Sequence, residues 1–342
     1  MIKHDKACYG FTYTIHIKRL TNDLCAVSPI TAESVCKDAG CSHSCITAVD
    51  IPTCTCPEGM VLEDDSKTCT VPVTILLGMH RKISAITGGE GEVRSLLPVG
   101  TTAFDFHYNN KEIIAFADNN IMRYSFAGEL TIPKQPSAIA TPTSRVSSLA
   151  VDWIHQDVYW ISRQRSAIEA SSLSGNSVRE IIAVEEEESS DWNNLVIDPA
   201  AEKLFWLGRK GVYSCGLNGK NLKSNITSWP VDAEDIALDT QNKLIYIIGN
   251  YGNGVNKVVA ASHYEGTPVG DIVTIGQSGS KIYGFGVLGN TIYWESNHDG
   301  ENLYKCEIPS AKEKANVTLV EELYQIVYDL KIYHPDIQKT GK

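Results

Sequence analysis

Six basic side chains of this 342-residue sequence fall in three short stretches, His80-Arg81-Lys82, Arg163-Gln164-Arg165 and Arg209-Lys210. Guanidinium and ammonium groups bind carboxylates through charge and directed hydrogen bonds, Arg through a two-pronged fork. In a chain with a formal net charge of -11, such stretches point to docking of an acidic partner rather than to bond-making. Arg145, Trp192 and Glu234 precede apolar runs and could share a surface with them. His80, His155 and His298 are candidate pH sensors, because an imidazole changes charge near pH ~6.5. Their protonation would make a basic surface more positive and tighten its hold on acid.

Catalytic signatures are missing. No Gly-x-Ser-x-Gly elbow or zincin His pair is present. Asp152, Asp198 and Asp239 recur at one place in a repeating pattern, as a structural acid would, and do not form a catalytic pair. The acidic balance excludes a nucleic-acid surface, which needs cations to displace counterions from phosphate. No run of 18 or more apolar residues exists to enter a membrane. The acidic stretch "VEEEESSDW" (184–192) reads as a solvated loop.

Ten cysteines are present, six of them within residues 36–69. A segment this short and polar cannot fold on apolar burial alone and needs covalent staples. Spacing alone leaves 15 pairings open for six cysteines. Cys8 and Cys25 could pair upstream. Asn225-Ile226-Thr227 and Asn316-Val317-Thr318 are glycosylation sequons of the kind secreted chains carry. No paired C-x2-C spacing supports a zinc site.

The side chains above are set in a repeating frame. "AFDFHYNNKEIIAFAD", "LAVDWIHQDVYWIS", "LVIDPAAEKLFWLG", "IALDTQNKLIYIIG" and "FGVLGNTIYWES" each join an apolar strand, a polar turn and a second strand, and "TILLGM" is a weaker copy. Successive ends, from Met79 to Ser296, lie 39, 44, 46, 41 and 47 residues apart. Short strands at that period read as the blades of a β-propeller, here six. "TILLGM" lacks a strand before it, and "YDLKIYHP" near the C-terminus has such a strand with nothing behind it. The last strand is therefore expected to complete the first blade. The basic stretches follow the second strand of their repeats and so belong to equivalent loops. Cys215 and Cys306 occupy matching positions in two non-adjacent blades and read as buried free thiols.

The run "CKDAGCSHSCITAVDIPTCTCPEGMVLEDDSKTC" resembles an epidermal-growth-factor-like (EGF-like) module, and the frame "VYWIS", "LFWLG", "IYWES" resembles the YWTD repeat of the LDL-receptor family. The order of module and propeller is also that family's. The resemblance implies an all-β fold: residues 1–24 as the closing strand of a preceding propeller or an N-terminal extension, 25–70 as the EGF-like module, 71–337 as a six-bladed YWTD propeller and 338–342 as a tail. "YTIHI" near the start parallels "YDLKI" near the end, as in a tandem array. The family pairing would be Cys36–Cys45, Cys41–Cys54 and Cys56–Cys69. Only Asp118 keeps the motif's final acid, which puts inter-blade hydrogen bonding in question. No cofactor is expected in this chain, with calcium confined to neighbouring modules of the full receptor; Glu33 stands alone before the first module cysteine, unlike a calcium-binding module. The function implied is that of an extracellular module of an endocytic receptor, with ligand binding and pH-dependent release. Partners would be secreted protein or lipoprotein ligands and the receptor's own acidic complement-type repeats. The other implied roles are a nidogen-like matrix scaffold and a signalling co-receptor.

Overall fold

The structure is a computed structural model that describes residues 36, 39–48, 51–88, 92–127, 130, 132–164, 167–175, 177–183, 192–209, 211–227, 231–251, 256–269, 273–277, 281–297, 300–309 and 315–339. Every named element among them is a strand. Cys8, Cys25 and the first 24 residues lie outside the described residues, as do the acidic run 184–191, Arg165, Lys210 and His298.

The chain divides into two compact units, with the main boundary between Cys69 and Thr70. The first holds the disulfide framework. Cys36 bonds Cys45, Cys41 bonds Cys54 and Cys56 bonds Cys69, the pairing that the EGF-like resemblance implies. Ser44–Ala48 pairs antiparallel with Ile51–Thr55, which places Cys45 opposite Cys54. In the turn after Val61–Leu62, Asp65 accepts hydrogen bonds from the Lys67 and Thr68 amides and from the Thr68 hydroxyl. These bonds, that of the Thr68 side chain foremost, hold its carboxyl below the ordinary range.

The second unit is a ring of six antiparallel sheets. Blade one runs from inside to outside as Val327–Tyr333, Thr74–Met79, Ile83–Thr87 and Arg94–Leu97. Its innermost strand is the last of the chain: Val327 pairs with Met79 and Tyr333 with Thr74. This is the closure anticipated from "YDLKIYHP". The inner strands of blades two to six are Phe104–His107, Val146–Asp152, Asn193–Asp198, Val231–Asp239 and Ile282–Leu288. The second strands are Glu112–Ala117, Asp157–Ser162, Lys203–Gly208, Leu244–Tyr251 and Thr291–Ser296. Blade four has three strands, and residues 220–226 fold back along its edge, with Ser214 and Lys223 exchanging backbone hydrogen bonds.

Each blade has both faces covered by its neighbours, so its central strands are apolar throughout rather than alternating. Asp157–Ser162 is buried at every position after the first. Trp160, Trp206 and Trp294 fill the spaces between blades.

The inner strands carry the ties between blades. Asp329 accepts a hydrogen bond from the Phe104 amide at 3.4 Å and Asp105 one from the Val151 amide at 2.8 Å. Ser148 accepts from the Leu195 amide at 2.9 Å, Asn194 donates to Asp235, and Glu234 accepts from the Ile282 amide at 3.0 Å. The sixth seam uses close approach. A side chain at Gly284 or Gly286 would collide with Leu330 or Ile332, so glycine lets blade six lie directly on blade one. The frame therefore does without most of the motif's final acids because inner-strand polar residues take over that work. In blade three, Glu169 of the next strand also does so, binding Ser162, Trp160 and Thr143.

Candidate protein-binding face

In an antiparallel blade, the loop after the second strand and the segment before the inner strand lie at the same end. The hydrogen bond from the Arg163 amide to the Arg145 carbonyl shows it in blade three, and that from the Lys281 amide to Asn297 shows it in blade six. Arg81, Arg145, Arg163 and Arg209 are exposed at this end, with Lys82 half-buried and His80 exposed beside it. None of these side chains forms an ion pair with a carboxylate among the described residues.

Arg145 and Arg163 line one pocket of about 270 Å³ together with Thr102, Val146, Ser147, Trp192 and Asn193. Among the described residues no carboxylate lines it. Arg209 belongs to the adjacent blade four, whereas Arg81 and Lys82 stand two blades away in blade one. The structure thus groups part of the anticipated basic set and spreads the rest around the rim.

Two expectations need correction. Trp192 was expected as an aromatic at the edge of this face, but it is only 2% exposed. Its ring packs 5.0 Å from Trp206 and 6.0 Å from Tyr213, so it supports the pocket wall from the core. Among the described residues, the exposed aromatic at this end is Tyr324, 83% exposed, whose hydroxyl donates to Glu322 at 2.6 Å. Its only sequence signal is its place just before an inner strand. The second correction is His155. It sits in the turn between first and second strands, at the opposite end of the blade, with Nδ1 2.7 Å from Asp152 Oδ2. Its protonation cannot charge the basic face directly. His107 lies at that far end too, buried, and burial holds it below the usual histidine range.

The recurring acids have a structural task. Asp152 accepts from the Ile154 and His155 amides, Asp198 from the Ala201 amide, and Asp239 from the Gln241 and Asn242 amides. Each closes the turn that follows its inner strand. Asp198 also binds Lys243 and the Tyr264 hydroxyl.

The ring encloses a central cavity of about 170 Å³, and Thr102 and Ser147 line both it and the Arg145–Arg163 pocket. Asp105, Asp235, Asp329 and Lys331 face this channel. Lys331 Nζ lies 3.0 Å from Asp329. Burial raises Asp105 to about 6 and Asp235 to about 7. Burial likewise raises Asp329, against the opposing pull of Lys331. For Lys331 burial works downward, but Asp329, Asp105 and Asp235 together hold it above its ordinary value. Sequence reading missed this cluster, although "FDF", "EDI" and "YDLK" interrupt otherwise apolar inner strands.

At the far end, the segment after the last strand crosses the channel mouth. Gln338 accepts from the Tyr108 amide at 2.8 Å and donates to the Phe106 carbonyl at 2.5 Å, and Ile337 lines the cavity. Trp153 Nε1 donates to the Lys339 carbonyl, and Gln241 to that of Asp336. This segment joins blades one, two, three and five.

No family model matches the chain. The vitellogenin receptor Yl of Drosophila melanogaster is 29% identical over 157 residues, which is 40% of this chain and 7% of that protein. Low-density lipoprotein receptor-related protein 4 of Homo sapiens is 27% identical over 123 residues, 34% of this chain and 6% of that protein. The chain therefore spans a small fraction of the length of these relatives. A solved structure described as a nidogen/laminin complex superposes with a TM-score of 0.60 and 13% identity, over 76% of this chain and 98% of that one. That likeness is one of fold.

Proposed function

We propose that this chain, an LDL-receptor-type YWTD propeller behind an EGF-like module, is a non-catalytic ectodomain segment of an endocytic receptor that docks an acidic protein partner on its basic face. One observation carries the reading: Arg145 and Arg163 line one pocket beside the channel mouth, which no carboxylate lines among the described residues. Two exposed guanidinium groups on one pocket rim suit the carboxylates of an acidic module, such as a complement-type repeat of the same receptor. Arg209 in the next blade extends the field. Such surface charges act on encounter rate and selectivity, and they weaken with salt.

Acidification would strengthen this docking. Ionised Asp105, Asp235 and Asp329 against one Lys331 leave the channel at net −2 behind the face. Asp105 and Asp235 pick up protons between cell-surface and endosomal pH, which removes that negative charge. An acidic module would then displace ligand in the endosome. Asn225 and Asn316, both exposed on outer edges of blades, would carry N-glycans.

The test is binding of an acidic complement-type repeat pair at pH 7.4 and pH 5.5, with Arg163→Glu and Arg145→Glu. Each reversal should weaken binding by about tenfold at low salt, and acid should tighten the wild-type complex. Equal binding by wild type and the double reversal would refute the face. Binding that the reversals abolish but pH leaves unchanged would retain the face and refute the acid response.

A further inference from the structure

The pocket at the binding-face end is lined mainly by hydrogen-bond donors. Arg145 and Arg163 border it on segments that the Arg163 amide ties together through the Arg145 carbonyl at 3.0 Å. Trp192 forms part of the lining and is buried, and its Nε1–H has no acceptor among the described residues. A buried indole N–H is costly unless an acceptor reaches it. Thr102 and Asn193 add a hydroxyl and an amide to the lining. The Ser147 hydroxyl is already committed to the Trp192 carbonyl at 3.3 Å, which fixes the wall. Among the described residues no carboxylate lines the pocket, and none pairs with either guanidinium.

This supply of donors exceeds what one carboxylate takes. A carboxylate is planar, and the fork of a single guanidinium satisfies both its oxygens. A phosphate or sulfate monoester is tetrahedral and presents three terminal oxygens, and a phosphate carries close to two charges at neutral pH. Two guanidinium groups, an indole N–H and a hydroxyl match that larger acceptor set. At about 270 Å³ the pocket has room for the tetrahedral group and the side-chain carbon that bears it. The charge around it favours one such group over a long polyanion. Arg209 stands in the next blade, Arg81 and Lys82 stand two blades away, and the adjoining channel holds three carboxylates against one lysine. A sulfated glycan chain gains most from a continuous cationic track, which the described residues do not form.

We propose that the Arg145–Arg163 pocket selects a single phosphate or sulfate monoester on a partner protein, of the phosphoserine or sulfotyrosine kind. The inference rests on the docking face proposed above and narrows its ligand. One modified side chain enters the pocket, and the partner's other acidic groups serve encounter.

Fluorescence anisotropy with the whole chain at pH 7.4 tests it. The probes are labelled peptides of one neutral sequence that differ at a single position: phosphoserine, sulfotyrosine, and their Asp, Ser and Tyr counterparts. A monoester peptide should bind about tenfold more tightly than the Asp peptide, because it makes charge-assisted hydrogen bonds that the carboxylate has no oxygens left to accept. Whichever monoester binds more tightly identifies the source. Arg163→Lys keeps the charge but loses the fork, and should weaken monoester binding by about fivefold. Trp192→Phe keeps an aromatic ring and removes the N–H, and should weaken it by a similar factor, with Tm reporting that the fold is intact. Arg145→Gln combined with Arg163→Gln should erase the preference over Asp. Equal binding of the monoester and Asp peptides overturns the proposal, and so does a monoester preference that survives the double Gln variant. The acidic-repeat experiment keeps the two readings apart. Repeat binding that needs Arg145 and Arg163, with no gain from a monoester, leaves the face standing and overturns this inference. Monoester binding without repeat binding supports this inference and refutes the acidic module as the partner.

Discussion

Replacing Asp235 by Asn should stabilise the propeller, and the gain should grow with pH. Asp235 is buried in the channel, with the Ile236 amide and Asn194 as donors. An Asn Oδ1 can accept both bonds, so geometry is kept and only the ionisation is removed. Asp235 titrates at about 7 in the fold, against about 3.9 in an unfolded chain. The folded state therefore binds the proton more tightly, and stability from this group is fully present below the unfolded value and is lost as pH rises through 7. At about 1.4 kcal/mol per pH unit, the native state carries a penalty of about 2 kcal/mol at pH 5 and about 4 kcal/mol by pH 7.4. The Asp235→Asn side chain escapes both, so its advantage should widen by about 2 kcal/mol across that interval, or roughly 4 °C in Tm for a chain of this size. Lys331 shares its charge among three carboxylates, so the smaller end of that range is expected. Differential scanning fluorimetry of both proteins from pH 5 to 8 reads it directly. A Tm difference that is constant with pH, or an Asp235→Asn protein less stable than wild type at pH 7.4, would show that Asp235 is ionised and well paired in the fold, and would falsify the channel as the acid-responsive element.

Other outcomes follow from the same structure. Trp192→Ala should cost about 3–5 kcal/mol of stability as a core truncation, seen as a fall in Tm, whereas Tyr324→Ala should leave Tm unchanged and reduce partner binding. Gln338→Ala strips donors and acceptors from Phe106 and Tyr108 and should cost about 1–3 kcal/mol, measured in the same thermal assay. Cys215 and Cys306 are buried, with burial pushing their thiols up to about 12 and about 11. They should react with a thiol reagent such as DTNB only at the rate of unfolding, and prompt labelling of the native protein would contradict their burial.

Much of this architecture is legible in the sequence because a propeller repeats its instructions. One apolar strand pair recurs at a near-constant period, and a strand lacking its partner at each end of the repeat array announces the closure of the first blade. The cysteine spacing identifies the small module through its resemblance. What the sequence hides is orientation. Trp192 stands before an inner strand just as Arg145 does, yet a large aromatic at that place turns inward to Trp206 while a guanidinium turns to water. His155 lies close in sequence to Arg163, but one strand separates them and sends them to opposite ends of the blade. Asp105, Asp235 and Asp329 lie far apart along the chain, and only ring closure gathers them in one channel with Lys331. Polar residues inside apolar strands were the available clue, and their meaning depends on partners contributed by other blades.

The pairing of the last strand with the first blade also sets a schedule for biosynthesis. Met79 leaves the ribosome roughly 250 residues before Val327, its partner; at 5–20 residues per second that interval is about 10–50 s. Throughout it, Thr74–Met79 offers an unsatisfied apolar edge to any other nascent chain. A truncated product never covers that edge. The ring therefore reports its own completeness, and a folding factor that binds exposed strand edges can tell a finished propeller from a partial one without inspecting any other feature.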